Sequence, residues 1–158
     1  MIKPESKYEL MNIIQEAMDK EGPEVDLGFI DTSLITDMSN LFYNSKFNGD
    51  ISGWNTGSVM YMNGLFQDSL FNGNIDDWNV SSVVDMSWIF RRSNFNRDIS
   101  SWNISSLRNV DSMFFGSLFD QNLYKWSLIR PDLTFDLDPN SFSVIGKWIE
   151  YEKSSSKR

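Results

Sequence analysis

Asp136, Asp138 and Asn140 stand in the spacing D-x-D-x-N, the first half of a calcium-binding loop. Such a loop offers hard oxygen ligands at alternate positions. It also needs Gly at its sixth position and a bidentate Glu at its twelfth. Those positions hold Ser141 and Lys147, so the segment reads as a polar turn and no metal site is expected. Asp37, Asp50, Asp85 and Asp98 could in pairs do acid–base work on a bound substrate. They recur at matched places in a repeat, which assigns them to turn capping. Histidine and cysteine are both absent. That removes the commonest general base, the commonest zinc ligand and any disulfide framework. No glycine-rich phosphate loop or nucleophile elbow occurs. The expectation is a protein that is not an enzyme and takes no cofactor.

The chain has 158 residues, of which 41% are apolar and 15% aromatic, enough for one domain with a substantial core. Its net charge of −8 disfavours direct contact with nucleic acid, which demands clustered Lys and Arg. The N-terminal stretch MIKPESKYEL carries charges and lacks an apolar core region, so no export signal is expected. No apolar run approaches the ~18 residues of a membrane span, so no membrane insertion is expected. The expected location is the cytoplasm. Asn79-Val80-Ser81 and Asn103-Ile104-Ser105 match the glycosylation pattern and are discounted for that reason.

The elements that would carry any function are organised by a repeat. Phe recurs at 42, 66, 90 and 114, and Trp at 54, 78, 102 and 126, a step of 24 each time. Phe47, Phe71, Phe95 and Phe119 keep the same step, as do Ile51, Ile75, Ile99 and Leu123. Stacked copies of so short a unit can bury apolar faces that one copy cannot. The Trp78/Val80 alternation suits a short strand, and Val83, Met86, Ile89 and Phe90 a helical turn. Met38, Met62 and Met86, with the four Trp, are expected in the core, at ~4.8 Å per coil. Asn48, Asn72 and Asn96 are expected to satisfy turn backbone groups.

The run WNVSSVVDMSWIF…FNRDISSWNIS resembles the BspA-type leucine-rich repeat of bacterial surface proteins, mycoplasma lipoproteins and some phage proteins. The resemblance covers the repeat block and extends to LGFIDTSLITDMSNLF. It implies an α/β repeat solenoid: a right-handed, leucine-rich-repeat-like coil with a short parallel sheet. Ser6-Lys7-Tyr8-Glu9 reads as a capping box. It would open an amphipathic helix over 7–20 that buries Leu10, Ile13, Ile14, Ala17 and Met18 and ends at Gly22-Pro23. The expected organisation is a single domain, 1–158. It comprises an N-terminal helical cap over 1–26, four repeats over 27–128, a C-terminal β cap over 129–152 and a tail over 153–158.

Positions that repeat describe a scaffold, whereas exposed positions that break the repeat are candidates for binding. Trp88 stands where other copies have Asn40, Gly64 and Ser112. Arg91 replaces Tyr43, Gln67 and Phe115, and Arg92 replaces Asn44, Asp68 and Gly116. Tyr61 stands where Asp37, Asp85 and Asn109 do. Trp, Tyr and Arg are enriched in interface hot spots, so Tyr61, Trp88, Arg91, Arg92 and Phe115 are the expected protein-binding patch. The row Asp31, Asn55, Asn79, Asn103 and Ser127 offers a competing but regular polar face. The leading functional expectation is a non-catalytic protein-binding module. A phage or mobile-element accessory protein acting on a host or virion protein is the setting implied by the resemblance. An adhesin or virion-surface fragment is the alternative, and an acidic decoy of a nucleic-acid-binding protein comes third.

Overall fold

A side chain that recurs every 24 residues can be buried by its own copies if each period completes one circuit. The computed structural model describes residues 1–133 and shows that arrangement. Counted from Asp31, the coils run 31–54, 55–78, 79–102 and 103–126. Phe42, Phe66, Phe90 and Phe114 form one stack, and Phe47, Phe71, Phe95 and Phe119 a second. Neighbours along these stacks have centroids 5.7–6.3 Å apart and planes within 10° of parallel. These centroid spacings exceed the expected coil rise of ~4.8 Å. Within each coil the two Phe rings also meet, at 4.2–4.5 Å. Each such pair adds ~0.5–1.5 kcal/mol beyond its area burial. One apolar cluster runs from Leu10 to Trp126 and includes the three expected Met residues.

A buried indole needs an acceptor for its N–H. Trp54, Trp78, Trp102 and Trp126 donate Nε1–H to the carbonyls of Leu27, Ile51, Ile75 and Ile99, at 3.0–3.1 Å. Each acceptor lies 27 residues earlier in the chain. A second ladder keeps the step of 24: Asn48, Asn72 and Asn96 accept, through Oδ1, the backbone N–H of Asn72, Asn96 and Asp120. The expectation for these asparagines is met. At Gly49 in the same bend, an added Cβ would collide with the Val25 carbonyl of the preceding turn.

The expected α/β leucine-rich-repeat solenoid with a parallel sheet is not what the chain forms. Among the described residues there is no strand; coil-to-coil pairing is limited to isolated parallel bridges, such as Asp37 with Tyr61 and Tyr61 with Asp85. The reason is a backbone that turns at every second residue. N–H groups of Met38, Asn40, Phe42 and Asn44 donate to carbonyls of Tyr61, Asn63, Leu65 and Gln67 in the next coil, at 2.8–3.0 Å. The intervening N–H groups of Leu41, Tyr43 and Ser45 instead close turns onto Met38, Asn40 and Phe42. Coils two and three repeat the pattern at 62–68 and 86–92. To zigzag in this way, the rows 40/64/88/112 and 44/68/92/116 all adopt left-handed backbone, with φ between 48° and 68°.

The expected helical turn over VVDMSWIF is this same turn ribbon. Val83, Met86, Ile89 and Phe90 are buried as the spacing requires, but no helix forms. Trp78 and Val80 do point inward while Asn79 faces out. The chain there nonetheless closes turns, Trp78 N–H onto Ile75 and Val83 N–H onto Val80, rather than pairing as a strand.

Helices lie only at the ends of the described stack. α1 spans Lys7–Glu21; the Ser6 hydroxyl caps Glu9 N–H, and Gly22, at φ 90°, ends it. Glu9 reaches back to the N–H of Glu5, one residue beyond the usual capping-box target. Leu10 and Ile14 bury against the core, with Ile13, Ala17 and Met18 beside them. α2, Tyr124–Ile129, was not expected and buries Trp126. The expected β cap and tail, apart from residues 129–133, lie outside the described residues. No helix among the described residues is long and apolar enough to cross a membrane.

Replacing Trp78 by Phe keeps an aromatic ring but removes the N–H and part of the ring volume, leaving the Ile51 carbonyl with only the Trp54 N–H. Urea unfolding of Trp78→Phe should show a loss of about 1–3 kcal/mol. A loss below 0.5 kcal/mol, on the order of a surface substitution, would show that the bond is dispensable.

Candidate protein-binding surface

The corners of each coil are built from Asp and Asn side chains that accept the N–H two residues on. Asp31, Asn55, Asn79 and Asn103 turn one corner, bonding the N–H of residues 33, 57, 81 and 105. Asp50, Asn74, Asp98 and Asn122 turn another. Asp37, Asp85 and Asn109 turn a third, on the N–H of Ser39, Ser87 and Asp111. The carboxylates that could have suggested acid–base chemistry are therefore spent on backbone turns. No group of three or more acidic ligands suited to a metal occurs among the described residues. The two sequons use their Asn side chains as corners.

Tyr61 is the exception in the third corner row, where the second coil has no carboxylate or amide to make the bond. Its ring is exposed. Its backbone forms bridges to Asp37 and Asp85. No hydrogen bond or ring contact joins it to the other four expected site residues among the described residues.

Trp88 occupies a left-handed position, φ 59°, where the other coils place Asn40, Gly64 and Ser112. A bulky side chain there costs roughly 1–2 kcal/mol in backbone strain. The residue is 41% exposed, so burial does not explain the choice. Arg91 closes a turn onto the Trp88 carbonyl. Its guanidinium carbon lies 5.2 Å from the centroid of the exposed Phe115 ring, one coil on, a cation–π arrangement. The Arg91 Nε is buried and has no hydrogen-bond partner among the described residues. Tyr43 and Gln67 continue the row of Arg91 and Phe115 toward α1, and Tyr43 is exposed.

Arg92 is placed differently from its expected role. Its Nε and Nη2 donate to both oxygens of Asp68, at 2.6 and 2.8 Å, in a bidentate pair across one coil step. The guanidinium holds the Asp68 carboxyl below its usual range. Its Cγ also stands over Gly116, where an added Cβ would crowd it. Arg92 therefore ties coils together. The structure brings Trp88, Arg91 and Phe115 into one neighbourhood, sets Arg92 beside them as a brace, and leaves Tyr61 on a separate corner. Sequence reasoning missed Tyr43 and the Asp68 partner; both stand in the matched rows of the repeat.

Stacked coils with spent corner carboxylates and one row of irregular exposed side chains define a repeat scaffold. The chain belongs to the family described as Mycoplasma protein of unknown function, DUF285, which matches residues 9–126. No curated protein and no solved structure matches it.

The backbone N–H of Ser52 and that of Ser100 hold the Asp50 and Asp98 carboxyls below the usual carboxylate range. A carboxyl with a depressed folded pKa adds stability above its unfolded value, about 3.9, and loses it as pH falls through the folded value. The melting temperature should therefore fall as pH drops below about 4. Asn keeps this corner, as Asn74 and Asn122 show, without titrating. The double variant Asp50→Asn/Asp98→Asn should lose less melting temperature between pH 5 and 3 than the parent; an equal loss would mean these corners do not set the acid limit.

Proposed function

We propose that the chain is a non-catalytic protein-binding module whose contact surface centres on Trp88, Arg91 and Phe115. One observation carries this reading. A strained left-handed position that the first, second and fourth coils fill with Asn, Gly or Ser holds an exposed Trp in the third. Strain of that kind, without burial to offset it, is a feature of binding sites. The neighbouring Arg91 supports the reading, since Trp and Arg with an aromatic partner are the composition of interface hot spots. Tyr61, on a separate corner, is not part of this centre; Arg92 supports the centre from its pair with Asp68.

The repeat sequence is akin to BspA-type repeats of surface and phage-borne proteins. A phage or mobile-element accessory role acting on a host or virion protein is the finer setting we favour, with a cytoplasmic site of action. Catalysis has no support in the corner carboxylates, each of which is engaged in a turn.

Affinity capture from the source cell should retain a partner with the parent chain and lose it with Trp88→Asn/Arg91→Glu. Relief of backbone strain offsets part of the lost Trp packing, so the melting temperature should stay within about 3 °C. A folded double variant that captures the same partner equally well would refute this surface.

A further inference from the structure

Along the ribbon 38–44 and its copies the stack has a direction: N–H groups donate forward to the next coil and carbonyls face the preceding one, although other N–H groups, such as those of Met60 and Leu70, donate backward. Coil two takes the N–H groups of coil one on Tyr61, Asn63, Leu65 and Gln67. The matching carbonyls of coil one belong to Asp37, Ser39, Leu41 and Tyr43, and α1 lies on that side instead of a preceding coil. The Lys7 ammonium supplies a donor to the Ser39 carbonyl at 3.3 Å, and pairs with Asp37 at 3.3 Å. The carbonyls of Leu41 and Tyr43 receive no hydrogen bond among the described residues. Beside them runs a groove of about 370 Å³. Met11, Ile14, Gln15 and Met18 of α1 form one wall and residues 40–45 the other. Its size and its mixture of apolar wall and ordered acceptors fit a ligand pocket.

We propose that this groove binds a peptide segment of a partner protein, which takes the place of the absent preceding coil. Two peptide N–H groups, two residues apart, donate to the Leu41 and Tyr43 carbonyls, as Phe42 and Asn44 do to Leu65 and Gln67 one coil on. An apolar peptide side chain packs on Met11 and Met18, whose flexible thioethers adapt to such a guest. Donor–acceptor complementarity selects the peptide: the edge offers acceptors at every second residue, the spacing that the stack itself satisfies with backbone. This is recognition by edge addition. It is independent of the Trp88 surface, so either can fail without the other.

The test uses the full chain. A display library of random dodecamers is panned on it, and the leading synthetic peptide is titrated while backbone amide resonances are followed. Shifts should concentrate in residues 11–18 and 40–45. Met11→Glu, at a partly exposed helix position, should weaken binding at least tenfold, and so should N-methylation of two alternate peptide amides. Trp88→Asn should leave the affinity unchanged. Selection of no peptide, shifts confined to another face, or affinity indifferent to N-methylation at every position would overturn the proposal. So would concentration-dependent dimerisation abolished by Met11→Glu, which would assign the groove to a second copy of the chain.

Discussion

A tryptophan indole packed among phenylalanine rings must place its N–H on an acceptor or forfeit much of what its burial contributes. Here the acceptor is always a carbonyl of the preceding turn, 27 residues earlier. That distance is one period plus three residues. It fixes how far each coil advances before the next Trp arrives, and an inserted residue anywhere in the circuit would separate donor from carbonyl. The two phenylalanine stacks and the asparagine ladder obey the same clock. Because Trp126 bonds Ile99, the short helix α2 is tied into the stack by the same rule that governs the coils.

The sequence displays the period, the buried face and the cap because each is written in apolar spacing. Phe47, Ile51 and Trp54 had to be core once they recurred at a fixed step. Ser6 and Glu9 had to open a helix. Asn48, Asn72 and Asn96 could be assigned to backbone bonding without knowing the donor. The secondary structure was not legible, since a strand and a ribbon of consecutive turns share one alternation. Trp78 in, Asn79 out and Val80 in is true of both. The distinguishing signal was the row Asn40, Gly64, Ser112, residues tolerant of left-handed backbone, and it was obscured by Trp88 in the same row. Row comparison also holds the Asp68–Arg92 pair, two opposite charges one period apart. Assigning Arg92 to the binding patch treated it as a break in its row and passed over the opposite charge of Asp68 in that same row.

Conflict between local rule and observed residue is informative in a repeat, because the other coils report what the position requires. At row 40/64/88/112 the backbone asks for Asn, Gly or Ser, and only Trp88 disregards it. At the third corner only Tyr61 lacks the carboxylate or amide oxygen that makes the turn. Sequences are locally consistent except where function intervenes. The corner carboxylates show the opposite: Asp50, Asp98, Asp37 and Asp85 agree with their rows, and their chemistry is consumed by the turns they make.

The direction of the coil stack explains why its two ends pose different problems. Along this ribbon, interior coils pass N–H groups forward onto the carbonyls of the next coil at every second residue. At the first coil the unmatched groups are carbonyls, and an α-helix is poorly equipped to meet them. Its own N–H groups are committed along its axis, so it can offer only side chains. Lys7 does so at Ser39 and Asp37, near the start of α1. Farther along the helix, Met11, Ile14 and Met18 provide apolar cover but no donor. A helical cap therefore closes the hydrophobic end of such a stack while leaving part of its hydrogen-bonding edge open. Water can solvate that edge, but only another backbone can match its two-residue spacing.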